Sequence, residues 1–213
     1  MLPFDADTLI SLYGQVNRAL WPAQLAVFVL AAALVALPFK PFAQAGRLAG
    51  LVLAGGWLTC GVVFHLGYFA PLNFAAPIYG WCFVAQALLL LWTLALRGNV
   101  WFLWDGSFYG WAGLILALVA LLVAPLATGL FGDGLAAAEL PGLMPDPTAL
   151  FTLALLLLVR ARAPWHLIVL PCLWCLVAMA TGWILEAPSL MILPAAGVLA
   201  TLLLIAKNRR AAV

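Results

Sequence analysis

All sixteen Lys, Arg, Asp and Glu residues fall between long apolar runs and none inside them. The runs are 21–39, 48–70, 76–96, 110–131, 147–159, 165–185 and 189–206. A helix rises about 1.5 Å per residue and a bilayer core is about 30 Å thick, so roughly 20 apolar residues make one crossing. Six runs meet that length; the fifth, with thirteen residues from Pro147 to Val159, falls short. A run of that length is usually re-entrant or interfacial. If it did not cross, however, Arg160, Arg162, Lys207, Arg209 and Arg210 would all change sides. The charge pattern therefore favours a short helix that crosses, its outer end starting in a protein-lined recess.

Seven crossings place Lys40, Arg47, Arg97, Arg160, Arg162, Lys207, Arg209 and Arg210 on one side, leaving only Arg18 opposite. Lys and Arg gather on the cytoplasmic side, so the expected orientation is N-terminus outside and C-terminus inside. Asp5, Asp7, Asp133, Glu139, Asp146 and Glu186 then lie outside, with Asp105 the sole inner acid. The expected fold class is an all-α polytopic transmembrane helical bundle forming one integral membrane domain. Residues 1–20 are an interfacial helix, 21–206 the seven-helix bundle and 207–213 a cytoplasmic tail.

Composition agrees, since 68% of the residues are hydrophobic and 8% charged, more apolar surface than one soluble core of 213 residues hides. The net charge of +2 comes from orienting Lys and Arg and forms no basic patch, so no nucleic-acid partner is expected. The start is acidic, at Asp5 and Asp7, and carries neither a secretory cleavage site nor an Arg-rich transit pattern. A bacterial cytoplasmic (inner) membrane is the expected location, with the lipid bilayer as the first partner and a membrane-protein partner or homo-oligomer as a further one.

Leu9, Leu12, Tyr13, Val16 and Leu20 recur at spacings of three and four, which predicts an amphipathic helix at the outer interface, capped by Asp5 or Asp7 and bent inward around Trp21 and Pro22. On the inner side, Trp101, Phe102, Trp104, Phe108 and Tyr109 suit the headgroup layer as an anchor. The outer connection 132–146 is rich in Gly and Pro and leads into the short helix.

With this topology Asn17, Trp21, Gln24, His65, Tyr68, Asn73, Asp146, Thr148, Thr152 and Glu186 lie toward the outer side and are the candidate substrate-binding set. An imidazole beside carboxylates at a low-dielectric boundary suits a proton or cation pathway, which singles out His65, Asp146 and Glu186. Polar residues also collect at any headgroup layer, so a purely interfacial role competes. Cys172 and Cys175 stand one helical turn apart in PCLWC, and with Cys60 or Cys82 they are candidate soft-metal ligands. With no second ligand pair at fixed spacing, small apolar packing residues are the better reading, and neither a metal nor another cofactor is expected. A retinal protein would need a buried lysine in the last span, whereas Lys207 sits at its inner end. GxSxG, HExxH, P-loop and GxGxxG patterns are absent, so no enzyme is expected.

Four ordered stretches carry a resemblance. They are Tyr13, Asn17, Trp21 and Pro22 in YGQVNRALWP; Phe69, Asn73, Ala75 and Ala76 in FAPLNFAA; Pro145, Pro147, Thr148, Phe151 and Thr152 in PDPTALFT; and Pro171 and Trp174 in LPCLWC. In these the chain resembles the bacterial membrane proteins of the DUF6064 family, a family of unknown function. The resemblance implies a multi-span fold with a shared outer-side feature around Asn73 and Thr148, and no activity. The place of Asp146 is usually a cysteine in that pattern, so no thiol-based role carries over. The expected function is a small permease or channel-like protein with an outward-facing polar pocket; the alternatives are a non-catalytic accessory subunit and a soft-metal handler.

Overall fold

The structure, a computed structural model, describes residues 3–40, 42–131, 134 and 137–211, and Asp133 lies outside the described residues. The described residues form helices and no strands. In chain order the helices are α1 (Ala6–Leu20), α2 (Ala23–Phe39), α3 (Ala45–Phe69), α4 (Ala76–Leu96), α5 (Phe108–Thr128), α6 (Pro145–Leu157), α7 (Trp165–Ile184) and α8 (Pro188–Arg210). Five of them, α3, α4, α5, α7 and α8, are long and apolar enough to cross a membrane; α1 and α2 together make a sixth candidate, bent by 97°.

The outer surface is that of a membrane protein. Val29, Ile78, Trp81, Leu88, Trp92, Ile115, Leu126, Leu173 and Leu202 all point outward and exposed, an apolar belt that only hydrocarbon solvates well. Helices in lipid gain little from hiding apolar side chains and associate instead through close packing, which small residues permit. Gly50 of α3 lies against Leu94 and Ala95 of α4, Gly61 and Gly80 sit at a second α3–α4 contact, and Gly113 of α5 abuts the Ala154 carbonyl of α6. The Gly-rich stretch in α3 is thus used within the chain.

The short helix α6 occupies the centre, with all thirteen residues buried. It packs against α3, α5, α7 and α8. At about 20 Å it covers only part of a crossing. Two side-chain contacts tie it to its neighbours. Thr152 meets Trp57, the thirteenth residue of 25-residue α3, and Asp146 meets Trp174, the tenth of 20-residue α7. The irregular segment 137–144 precedes α6 and packs inward, so that Gly142 touches Gly56 of α3.

The two ends of the bundle differ in charge. At one end the 97–107 connection pairs with the exit of α6 through the Leu103 amide to the Leu158 carbonyl at 3.0 Å and the Arg160 amide to the Trp101 carbonyl at 2.8 Å. The Trp104 amide meets the Pro38 carbonyl, and Arg47 lies against Gly98. Phe102 is buried and Trp104 stacks on Phe39, so this connection closes the basic end of the bundle as well as presenting exposed Trp101 and Phe108 outward. Residues 207–210, within the expected 207–213 tail, continue α8. Asn208 pairs with both backbone groups of Ala163, and the Lys207 ammonium donates to the carbonyls of Leu157, at 2.8 Å, and Val159.

A cation at a helix C-terminus satisfies its free carbonyls and opposes its dipole. Lys207→Met is therefore expected to cost about 1–2 kcal/mol, read as a lower unfolding midpoint in mixed micelles. An unchanged midpoint would mean that the cap contributes nothing.

Candidate functional site

At the opposite, acidic end α1 lies across the entrance to α6. Asp5 caps α1 by accepting from the Thr8 amide at 2.8 Å, and hydrogen bonding to Thr8, from its side chain first and its amide second, holds the carboxyl below the ordinary aspartate value. The apolar face of α1, with Leu9, Leu12, Tyr13 and Val16, packs with Phe64, Phe69 and Met144. Asn17 reaches down from the same face, its Nδ2 donating to the Ala138 carbonyl at 2.9 Å. Gln24, just past the bend, donates to the Asn17 carbonyl. The amphipathic helix thus serves as a cover over the irregular segment.

The first turn of α6 is built by its prolines and threonines. Pro145 and Pro147 start the helix without presenting amide donors, which suits positions whose N–H groups have no partner in the helix. Thr148 Oγ1 donates to the Met144 carbonyl and accepts from the Gly142 amide, both at 2.6 Å. Since its hydroxyl hydrogen is committed, the Cys60 thiol at 3.4 Å is the donor in their contact. Thr152 Oγ1 donates to the Thr148 carbonyl and accepts from Trp57 Nε1, each at 2.8 Å. Both threonines therefore fasten the helix; the Thr148 hydroxyl has its donor and both acceptor positions taken, and that of Thr152 its donor and one acceptor position.

Asp146 is different. Its Oδ1 accepts from Trp174 Nε1 at 2.8 Å, and it lines a narrow cleft with Tyr13, Phe64, Asn73, Tyr79 and Trp174. Glu139 stands within electrostatic reach of both Asp146 and Tyr13. Among the described residues no Lys or Arg pairs with Asp146, because the basic residues apart from Arg18 sit at the far end. Asn73 is buried, its Oδ1 accepting from the Ala75 amide in the α3–α4 turn. His65 is fully buried behind the cleft wall, its ring 4.9 Å from that of Trp174 and 4.7 Å from that of Phe83, and among the described residues neither nitrogen has a hydrogen-bond partner.

Of the ten candidate residues, Asp146, Asn73 and His65 thus come together at or behind the cleft, while Asn17, Gln24, Thr148 and Thr152 hold its surroundings. Three lie elsewhere. Trp21 is 63% exposed at the bend, Tyr68 lines a separate outer groove with Asp7 and Gln15, and Glu186 is exposed in the α7–α8 turn at φ 53°. Trp174 lies outside the candidate set, while Tyr79, a polar residue at the start of the third apolar run, is one the run ends already bring toward the same pocket. The PCLWC run drew attention for its cysteines, yet the residue that reaches the site is the tryptophan between them. Cys175 is buried against Gly197, Cys172 is part-buried and Cys82 is exposed. Among the described residues no three His, Cys, Asp or Glu side chains are grouped to hold a metal ion.

No curated protein and no solved structure matches the chain. A family model does, over residues 6–213, and it takes in the cover helix, the irregular segment, α6 and its tryptophan partner together. The chain belongs to the family of unknown function DUF6064.

Proposed function

We propose that this protein is a small permease or channel-like protein of a bacterial cytoplasmic membrane, with seven crossings, its acidic end outside and its basic end in the cytoplasm. The excess of Lys and Arg at one end supports the orientation. The irregular segment and α6 together supply the fifth crossing, and discontinuous helices that end near midspan are where transporters commonly place their sites.

The observation that carries this reading is Asp146, a buried carboxylate without a basic partner, set at the start of a half-length helix and facing a cleft under a helical cover. A bare helix N-terminus would attract an anion. Here Asp146 already occupies that position and two prolines remove donors, so the site suits a proton or a cation. In liposomes carrying a pH- or cation-sensitive dye, the wild-type protein is expected to conduct above empty liposomes, and Asp146→Asn to lower that flux at least about tenfold, equivalent to ~1.4 kcal/mol of barrier. Equal flux in the variant, or none in the wild type, would overturn the proposal; the latter would favour an accessory subunit.

A further inference from the structure

The walls of the cleft point to its occupant, on the premise that Asp146 serves a cation site. Aromatic rings dominate the lining, from Tyr13, Phe64, Phe69, Tyr79 and Trp174, and Asp146 is the single charged lining residue. The water-accessible space is about 30 Å³, room for roughly two waters and no more. The Tyr79 and Trp174 rings meet edge to face at 5.5 Å, and directly behind them stands His65 with both nitrogens unpartnered. Buried imidazoles almost always have partners; a neutral ring with none among the described residues holds one N–H donor and one free acceptor nitrogen, and the latter can take a proton-bearing ligand's hydrogen.

These features restrict the ligand from several directions. An unpaired carboxylate asks for positive charge, and aromatic faces favour a weakly hydrated cation over a strongly hydrated one. The space admits one or two heavy atoms. A neutral imidazole nitrogen asks for an N–H or O–H donor, which a bare alkali ion lacks. We propose that the cleft binds ammonium or methylammonium, with Asp146 as counter-ion, Tyr79 and Trp174 as the aromatic walls, and His65 as the next acceptor inward once those rings shift.

The test uses the full-length protein in detergent at constant ionic strength, with titration calorimetry reading binding, and radiolabelled methylammonium uptake in liposomes. Methylammonium should bind saturably, while sodium and the oversized tetramethylammonium bind at least about tenfold more weakly. Asp146→Asn should abolish binding, and Tyr79→Leu, which leaves the Asp146–Trp174 hydrogen bond in place, should weaken it. Equal binding of sodium by the wild-type protein, a readout that needs no variant, would overturn the proposal, as would full binding in Asp146→Asn. The two readings fail separately. Saturable methylammonium binding without uptake upholds the ligand and sinks the permease; Asp146-dependent proton flux without methylammonium binding upholds the permease and sinks the ligand.

Discussion

Trp57→Ala is expected to destabilise the protein by about 3–5 kcal/mol, the range for emptying a buried tryptophan site. Trp57 is fully buried at the middle of α3, with its ring 4.4 Å from that of Phe83 and its Nε1 on Thr152. It therefore joins three helices, α3, α4 and α6, at one level. Within lipid a truncated side chain loses dispersion contacts that hydrocarbon tails cannot restore when the site lies inside the bundle. Trp57→Phe separates the two contributions, because it keeps most of the packing and removes the N–H. Thr152 retains its bond to the Thr148 carbonyl, so Phe should cost only about 1 kcal/mol. Unfolding curves in mixed micelles measure both. An alanine variant within 1 kcal/mol of wild type would mean that α6 is not held at its middle by α3.

The sequence made the elements legible because lipid imposes a sharp rule at their ends: charges at 40–47, 97, 105, 160–162 and 207–210 bracket helices that the structure places almost where the apolar runs lie. The amphipathic spacing of Leu9, Leu12, Tyr13 and Val16 identified α1 and its buried face for the same reason, since one side meets water. Inside the apolar zone that information fades. Lipid and protein interior are both hydrocarbon, so the total burial of α6 and the exposure of half of α7 leave similar sequence patterns. The thirteen-residue length was the only sign of α6's place, and it started two residues earlier than the apolar run suggested, at Pro145. Side-chain direction at helix ends was also beyond the pattern. Asp146 and Glu186 are both acids beside apolar-run ends, yet a proline-led helix start points one inward and a left-handed turn leaves the other exposed. Trp174 was hidden for a further reason: a midspan tryptophan looks like packing until its N–H is seen to meet a carboxylate.

Gly56→Leu should cost at least about 1–3 kcal/mol and impair flux as well, whereas Gly55→Leu, one residue away, should do neither. A Cβ at Gly56 would stand 2.8 Å from the Gly142 Cα, a contact with backbone that no rotamer relieves, while a Cβ at Gly55 meets nothing within 4 Å. Gly142 cannot retreat easily. Its φ of 90° lies where side-chain-bearing residues are strained, its amide is tied to Thr148, and Val27 stands 3.0 Å from where its own Cβ would be. Any displacement at Gly56 therefore passes through Gly142 to Thr148 and the first turn of α6, and from there to Asp146 four residues from Gly142. Gly142→Ala disturbs the same joint from the other side and should show the same paired loss, of about 1–3 kcal/mol in stability and of methylammonium binding. Melting curves and binding isotherms on the three variants decide the matter. If Gly56→Leu melts like wild type and binds like wild type, the irregular segment does not rest on α3, and the path from Gly56 to Asp146 loses its support.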